Sequence, residues 1–550
     1  MNILAKEIPS AGGTGTRPHP RAWEPATLIV ILLVSAVGAI IGLQILTTLG
    51  MTPNTSIIGA LVAMIIARIP NRLFISFRST HVQNLVQSAM STATFGAANG
   101  LLLPIGIPYV LNRPDLILPM FAGVSLAMIL DGYLLYRMYG SALFPANAAW
   151  PQGIAAAEAI RAGDKGGQNA VVLGAGAAIG ATGAWFGIPM SAFGTAFIGN
   201  VWALGMFGIG LLISGYSTFL FAAPVFHGIF PDASPMKALA PHGLMVGAGL
   251  VALLQMGFVM LARKQPAAAA TKATEPEVRP STTRRILGFG SIAYVLIAIL
   301  LAVTGGLMEE MSLTGLVGFI VFAAAAALVH ELIVGISAMH TGWFPAFAVA
   351  LITLLLGILL GLPLTGLILL TGFSAATGPA FADMGYDLKT GTILRAGEGH
   401  AFDLDGRRQQ WFASLIAFGV AIVVVAFSWE SLFGMGRIPP INFVYASAIE
   451  AGVTGDAARN LFLWAIPGAL LQFIGASKRQ MGVLFATGML LGNVAAGFAV
   501  LIGIAVRLAL TTFWPGRFDS RIPVFAGGVI AGDALFSFTS ATIRSFGTDK

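Results

Sequence analysis

The sequence predicts an all-α membrane protein that crosses the bilayer many times. Of its 550 residues, 57% are hydrophobic and only 10% are charged, whereas soluble domains carry about 25% charged residues. A water-soluble fold of this composition would expose large apolar patches and aggregate. Apolar runs recur along the whole chain, and most approach the roughly 20 residues that a spanning helix needs. Lipid is therefore the solvent that this sequence suits.

The apolar runs form two groups on either side of a polar segment. A polar tail covers residues 1–26, and the first run is too long for the core of a signal peptide, so we expect no cleaved signal. The first transmembrane half covers 27–262, a flexible Pro/Ala/Thr-rich linker 263–285, the second half 286–543, and a short tail 544–550. We predict about sixteen spans, and short or Gly/Pro-broken runs among them could instead be re-entrant. The spans lie near 27–49, 54–69, 83–111, 115–138, 168–192, 193–214, 216–230, 241–262, 286–305, 313–334, 343–361, 363–381, 410–429, 460–476, 481–510 and 522–543.

Lysine and arginine in the short loops predict the orientation of the chain. The basic segments are the N-terminal tail, 70–80, 137–166, the linker, 387–408 and 477–480. Eight crossings per half place all of them on one side, and short cytoplasmic loops are the ones enriched in these residues. We therefore expect both termini in the cytoplasm. Arg507, Arg517 and Arg521 fall on the opposite side and run against the rule.

One segment of the first half recurs in the second. PQGIAAAEAIRAG begins at Pro151 and PINFVYASAIEAG at Pro440, with Pro, Ala, Ile and Gly coinciding at six positions. Chance similarity between alanine-rich segments is one explanation. Duplication is the other, and it is common in secondary transporters. The predicted topology puts the two copies on opposite sides of the membrane, so either the halves are inverted here or one copy re-enters the bilayer.

Few ionisable residues fall inside the apolar runs. A charge at the centre of the bilayer costs at least about 2.5–3.5 kcal/mol, so these residues are functional candidates. A carboxylate among them could take up and release a proton as access alternates, or could bond a neighbouring helix for structural reasons. The candidates for proton coupling or substrate contact are Asp131, Glu158, Glu331, Asp533, His330 and Glu450, with His227, His242 and His340 as further intramembrane histidines and Glu309 and Glu310 expected in an outer loop.

Several function classes lack their sequence signatures. The chain has no cysteine, and a valine at position 334 breaks the HExxH zinc-site pattern that begins at His330. We also find no GxSxG elbow, phosphate-binding GxxxxGK[ST] loop or GxGxxG motif. We therefore predict no catalytic activity, no metal site and no cofactor. Transport would then take its energy from an ion gradient. The net charge of +7 fits basic cytoplasmic loops better than nucleic-acid binding.

Several segments together resemble the oligopeptide transporter (OPT) family, which includes the yellow stripe-like metal–chelate transporters. They occur in family order along nearly the whole chain. Phe344 replaces the usual Asn of a T-G-x-N-P stretch, which leaves the substrate open. The matching segments are HVQNLVQSAMSTATFGAANG (81–100), WPQGIAAAEAIRAGDKGG (150–167), TGWFPAFAVALI (341–352), GYDLKTGTIL (385–394), RRQQWFASLIAF (407–418), IPPINFVYASAIEAG (438–452) and FAGGVIAGDAL (525–535).

The resemblance implies proton-coupled symport of small peptides or peptide-like metal chelates across a bacterial inner membrane. Lys389 belongs to the family motif, and in the predicted topology it lies in a basic cytoplasmic loop, with loop structure and substrate contact as alternative roles. The expected partners are a small-molecule or peptide substrate and membrane lipid, with a homodimer as an open alternative to a monomer. A passive channel and a membrane-embedded enzyme are the competing functions, which single-channel currents or substrate conversion would reveal.

Overall fold

The structure is a computed structural model, and it is built from helices. It describes residues 18–49, 56–67, 69, 72–165, 167–222, 239–261, 277–342, 344, 346–451, 455–518 and 521–547. Within these residues the only β pairing is one isolated bridge, between Tyr139 and Phe144. The predicted all-α fold is confirmed. Eight described helical segments are long and apolar enough to cross a membrane, and five further apolar helices are shorter.

The first half contains two kinds of irregular helix besides its α-helices. A 3₁₀ segment covers Arg72–Arg78, and a π-helical segment, Gly96–Leu102, interrupts a long spanning helix. The α-helices are α1 (Pro25–Leu49), α2 (Ser56–Ala67), α3 (Thr80–Phe95), α4 (Leu103–Val110), α5 (Ile117–Met138), α6 (Pro151–Lys165), α7 (Gly167–Trp185), α8 (Met190–Ala196), α9 (Val201–Gly215), α10 (Ser217–Ala222) and α11 (Ala240–Leu261).

The second half also has a long spanning helix that is interrupted, this time at Thr377 and Gly378. Its α-helices are α12 (Pro280–Thr304), α13 (Leu307–Glu310), α14 (Leu313–Thr341), α15 (Ala346–Leu359), α16 (Leu364–Ala376), α17 (Pro379–Leu394), α18 (His400–Gly434), α19 (Pro440–Ala451), α20 (Gly455–Arg479), α21 (Met481–Leu491), α22 (Val494–Phe513) and α23 (Ile522–Gly547).

The two halves are related by more than the short sequence echo. The echoed segments are α6 and α19, and the helices that follow them, α7 and α20, begin at Gly167 and Gly455 with almost the same separation. Packing repeats as well. Helix α7 packs against α23, and α20 packs against α11 in the same way; α8 contacts α22 and α23, and α21 contacts α9 and α11. The duplication therefore covers most of each half.

The two interrupted helices show that the halves are inverted. Segment α3 packs against α17, and α4 packs against α16. The first part of one interrupted helix thus meets the second part of the other, so the two run antiparallel. Equivalent helices that run in opposite directions require a two-fold axis in the membrane plane, as in inverted-topology transporters. Inversion also accounts for the echoed segments falling on opposite sides in the predicted topology.

Glycines allow the strongest helix pairs to approach closely. A Cβ on Gly180 of α7 would lie 2.1 Å from the carbonyl oxygen of Val529 on α23, and a Cβ on Gly468 of α20 would lie 2.1 Å from that of Leu244 on α11. Without a hydrophobic driving force between helices in lipid, such close backbone contact is what holds them together.

The equivalent contacts α6–α17 and α19–α4 use opposite combinations of large and small residues. Gly153 of α6 lies against Lys389 of α17, where a Cβ would be 2.8 Å from the lysine Cβ. The residue equivalent to Gly153 is Asn442 of α19, which lies over Gly106 of α4. Each contact therefore has one glycine. In the α6–α17 contact it lies on α6, whereas in the α19–α4 contact it lies on α4 and not on α19, the equivalent of α6.

Among the predicted boundaries that differ from the structure, three have an identifiable structural basis or change how an element is divided. The loop predicted at 387–408 is helical up to Leu394 and again from His400, because buried partners offset its charges. The helix α12 begins at Pro280, inside the predicted linker, whose residues 263–276 lie outside the described part. The single span predicted at 481–510 divides into α21 and α22, since Gly492 adopts a left-handed conformation with φ of 61°.

Candidate functional site

Two buried carboxylates on α17 face α3 across the centre of the bundle. Asp383 and Asp387 lie one helical turn apart and therefore on the same face. The Ser91 hydroxyl donates to Asp383 Oδ1. The Gln87 amide donates to Asp387 Oδ1 at 2.5 Å, and Thr92 donates to Asp387 Oδ2 at 3.4 Å. Every one of these side chains is buried. We call Asp383 and Asp387 with these three α3 side chains the polar lane.

The amide of Gln410 on α18 extends the polar lane toward one end of the bundle. Its Nε2 donates to the Asp387 carbonyl oxygen at 2.6 Å and to Ser88 Oγ at 3.1 Å. Its Oε1 accepts from Arg395 at 2.9 Å, and Arg395 Nε donates to Asp403 at 2.8 Å. These bonds tie α3, α17 and α18 together, and they hold a fully buried guanidinium in place.

The interruption between α16 and α17 places a backbone donor at the edge of this region. Gly378 has a φ of 100°, a conformation that glycine adopts readily, and it is the N-cap residue of α17. Its N–H donates to Asp131 Oδ2 at 2.6 Å. A side chain at this position would also collide with Val334 of α14, whose Cβ is 2.9 Å from the place of a Cβ. The interruption is therefore held by α5 and α14.

A second cluster surrounds the hydroxyl of Tyr294 on α12. The hydroxyl lies 2.6 Å from Asp131 Oδ1 and also contacts Glu331 Oε2 of α14. All three side chains are fully buried. The structure thus brings together Asp131 and Glu331, two of the residues predicted to carry protons, and adds a tyrosine between them. We call these three residues the carboxylate–tyrosine triad.

Two other predicted residues lie near these clusters. His330 directs Nδ1 to Ser374 Oγ at 3.1 Å, next to the interruption, and Ser374 in turn donates to Thr353. Lys389 was predicted in a cytoplasmic loop, and that placement is wrong. It lies on α17, mostly buried, and its Nζ donates to the Ala146 carbonyl oxygen at 3.1 Å. This bond gives the ammonium group one acceptor among the described residues, out of the three that its N–H groups can use.

The remaining predicted carboxylates lie apart from both clusters. Glu158 of α6 forms an ion pair with Arg161, N···O 3.4 Å. Asp533 of α23 accepts from the Ser191 backbone N–H at 2.6 Å and its hydroxyl at 2.5 Å, so it anchors the start of α8. Glu450 is exposed on α19.

The other histidines and glutamates of the sequence analysis also lie elsewhere. His242 is largely buried on α11, and its Nδ1 finds no partner among the described residues. His340 lies near the end of α14, and His227 falls outside the described part. Glu310 accepts from Thr365 at 2.6 Å. Among the described residues no group of three or more His, Asp or Glu side chains could hold a metal ion.

Three of the six predicted basic segments meet at one end of the bundle, namely the N-terminal tail, the end of the linker and 387–408. His19 of the N-terminal segment donates its N–H to Asp405 of α18 at 3.3 Å, and its ring packs against His81 and Phe402. Arg407 donates to Glu277 at the end of the linker at 2.7 Å. Burial lowers the pKa of His19 to about 4, so its neutral ring is the form that packs here.

Sequence reasoning missed Asp383, Asp387 and Tyr294. Asp383 lies in a run that glycine and proline interrupt, 371–385, and an interrupted apolar run gives no direct indication of a buried carboxylate. Asp387 belongs to the family-like motif and falls in the loop that the sequence predicts at 387–408. The available signal was their spacing of four residues, which places both on one helical face. Tyr294 carried no comparable signal, because a lone tyrosine in an apolar run is common.

The comparison with protein families agrees with this architecture. A family model described as OPT oligopeptide transporter protein matches residues 23–262 and 169–544. The chain belongs to the OPT family. These matches extend over nearly all of the described helices, and the family assigns the chain an oligopeptide transporter function. It is thus an integral membrane protein of a transporter family. No curated protein matches the chain.

Proposed function

We propose that this OPT protein is a proton-coupled symporter that carries small oligopeptides, or amino-acid-derived metal chelates, across the bacterial inner membrane. The observation that carries the proposal is the antiparallel crossing of two interrupted helices beside buried carboxylates. Interrupted helices expose backbone donors and acceptors at mid-membrane, where they can bind polar substrates. The gradient supplies the energy, and we propose no resident cofactor.

The polar lane supplies groups that suit one end of a peptide. Asp383 and Asp387 are acceptors for an ammonium group, and Gln87, Ser91 and Thr92 on the facing helix offer neutral donors and acceptors. Keeping two carboxylates inside a membrane bundle is costly. A structural role alone would be served equally well by neutral residues, so the chemistry favours recognition of a cationic amino group. A metal chelate built from amino acids presents the same kind of group.

The cytoplasmic side follows from the cluster of basic segments. The N-terminal segment, the end of the linker and the start of α18 meet there, and cytoplasmic loops are enriched in Lys and Arg. We propose that this end faces the cytoplasm, together with both termini. Thiol labelling of a single cysteine introduced at exposed Arg21 would test it, since the chain has no cysteine of its own. Labelling of intact cells by an impermeant reagent would contradict the orientation.

Uptake by reconstituted protein tests the transport proposal. Proteoliposomes with an inwardly directed proton gradient should accumulate a radiolabelled tripeptide, and an uncoupler should stop the accumulation. Asp383→Asn and Asp387→Asn should each raise the KM at least tenfold, because the lost charge weakens the contact with the amino group. Glu450→Gln, a carboxylate exposed on α19, is the matched control and should leave the KM unchanged. Uptake that is indifferent to the uncoupler would exclude proton coupling, and an unchanged KM in both variants would exclude the polar lane.

A further inference from the structure

The carboxylate–tyrosine triad allows its protons to be counted from geometry. Tyr294 has one hydroxyl proton, and its oxygen contacts a carboxyl oxygen on each side. One hydroxyl cannot donate to both carboxylates. One of the two contacts must therefore be bridged by a proton that belongs to a carboxyl group. The alternative is an unbridged contact between two oxygens inside the membrane, which is strongly unfavourable.

The hydrogen bonds of Asp131 indicate which acid holds that proton. Asp131 Oδ2 accepts from the Gly378 N–H, and its Oδ1 lies beside the Tyr294 hydroxyl. Because the Gly378 N–H is a fixed donor and the Tyr294 hydroxyl can supply a second, Asp131 is suited to be ionised. Glu331 is not, because its Oε1 is buried without a partner among the described residues. An ionised carboxylate would lose the hydration of that oxygen without gaining a hydrogen bond to it. The neutral acid carries less charge on the same oxygen, so its desolvation costs less free energy.

We propose that Glu331 is the proton-carrying residue of this transporter, with its acid proton donated to Tyr294 Oη and the tyrosine hydroxyl donated to an ionised Asp131. This rests on the proposed proton coupling and assigns it to one site. In the described part of the chain, Asp131 and Tyr294 are the titratable groups that face Glu331. Its neighbour His330 directs its ring away to Ser374. Release of the proton leaves Glu331 as a second carboxylate against the same hydroxyl.

The position of the triad explains how the proton would act on the substrate region. Asp131 holds the Gly378 N–H at the first turn of α17, the helix that carries Asp383 and Asp387. Val334, one turn after Glu331 on α14, packs against the same glycine. Repulsion between two ionised carboxylates would push α5 and α14 apart. The interruption that both helices hold would then loosen, and α17 would be free to move.

Infrared spectroscopy tests the location of the proton without any substrate. The purified wild-type protein at neutral pH should show the carbonyl stretch of a protonated carboxylic acid, sensitive to D2O. The difference spectrum between wild type and Glu331→Gln should contain this band. In Tyr294→Phe the band should persist and shift to higher frequency, since the acid loses its hydrogen-bond acceptor. Glu158→Gln, an ion-paired carboxylate, is the control and should leave the band intact. Loss of the band in Glu158→Gln, or its survival unchanged in Glu331→Gln, would overturn the assignment.

Transport assays separate this inference from the proposed function. Glutamine resembles the protonated acid, so Glu331→Gln should still exchange labelled for unlabelled peptide but should lose accumulation against a gradient. Gradient-driven accumulation by Glu331→Gln at the wild-type level would overturn the assignment even where the wild type is proton-coupled. A wild type that carries no peptide would contradict the proposed function, while the infrared result would still decide where the proton resides. The Tyr294→Phe spectrum serves as the second readout should Glu331→Gln fold poorly.

Discussion

The closely packed glycines give a prediction whose size can be worked out from the structure. In Gly180→Ala the new Cβ would lie 2.1 Å from the carbonyl oxygen of Val529. Ordinary contact begins near 3.4 Å, so α7 and α23 would have to separate by about 1.3 Å along that direction. The obstacle is backbone rather than a flexible side chain. Overpacking of this kind costs about 1–3 kcal/mol, and we expect Gly180→Ala to destabilise the protein by that amount.

Gly174 on the same helix provides the matched control. It is exposed, and a Cβ there would meet nothing within 4 Å. Alanine favours a helix over glycine by about 0.5–1 kcal/mol, so Gly174→Ala should be neutral or slightly stabilising. Thermal unfolding of both variants in the same detergent, followed by tryptophan fluorescence, measures the contrast. Gly468→Ala at the equivalent pair α20–α11 should match Gly180→Ala. Equal melting temperatures for Gly180→Ala and Gly174→Ala would refute the reasoning.

Three further predictions concern other polar contacts. Arg395→Met should lower the free energy of unfolding by about 3–5 kcal/mol because it removes one partner of a buried ion pair. Arg113→Met, at an exposed pair, should lower it by about 1 kcal/mol or less. Equal losses for the two variants in chemical denaturation would contradict this. The N-terminal segment should stay docked above pH 6.5 and be released as the pH falls toward 4, because the docked His19 has a lowered pKa. A spin label on Arg21→Cys should gain mobility over that pH range. Mobility that does not change with pH would contradict this. Asp533→Asn should lower the melting temperature but keep gradient-driven uptake, since the carboxylate anchors α8, and loss of coupling in a stable Asp533→Asn protein would show that the residue carries protons instead.

Most of the fold was readable from the sequence because hydropathy and helix formation act locally. In lipid every backbone group must be bonded within its own segment, so each long apolar run becomes a helix. Glycine and proline also indicated where helices break. This holds for the Gly/Pro-rich run 371–385, which contains the break at Gly378. It does not hold for the run 100–110, because residues from Leu103 onward form the regular helix α4 and the π-helical segment, Gly96–Leu102, lies mostly before that run. Short segments such as α8 and α21 were less predictable, because neighbouring helices decide where they end.

The polar residues were harder to place because their environment comes from distant parts of the chain. Asp387 and Lys389 lie in a segment rich in charged residues, and charge density alone predicts a loop there. Their helix is stable because Asp387 accepts a hydrogen bond from Gln87. Gln87 is 300 residues away in sequence, so a local reading of the chain does not reveal this partner. The same holds for the triad, where Asp131 was recognised by its apolar surroundings and Tyr294 was not. Sequence reasoning finds an isolated charge readily, but it does not find the neutral partner that gives that charge its role.

The alternating glycines at the two equivalent contacts limit how this protein could have arisen and how it could be rebuilt. Two copies of the first half would bring Gly153 to face Gly106 and leave a gap. Two copies of the second half would bring Asn442 to face Lys389, with no glycine to make room. The halves have become complementary, like two different subunits of a heterodimer joined in one chain. A functional protein split at the linker would therefore need both fragments, and neither fragment alone could form a symmetric substitute.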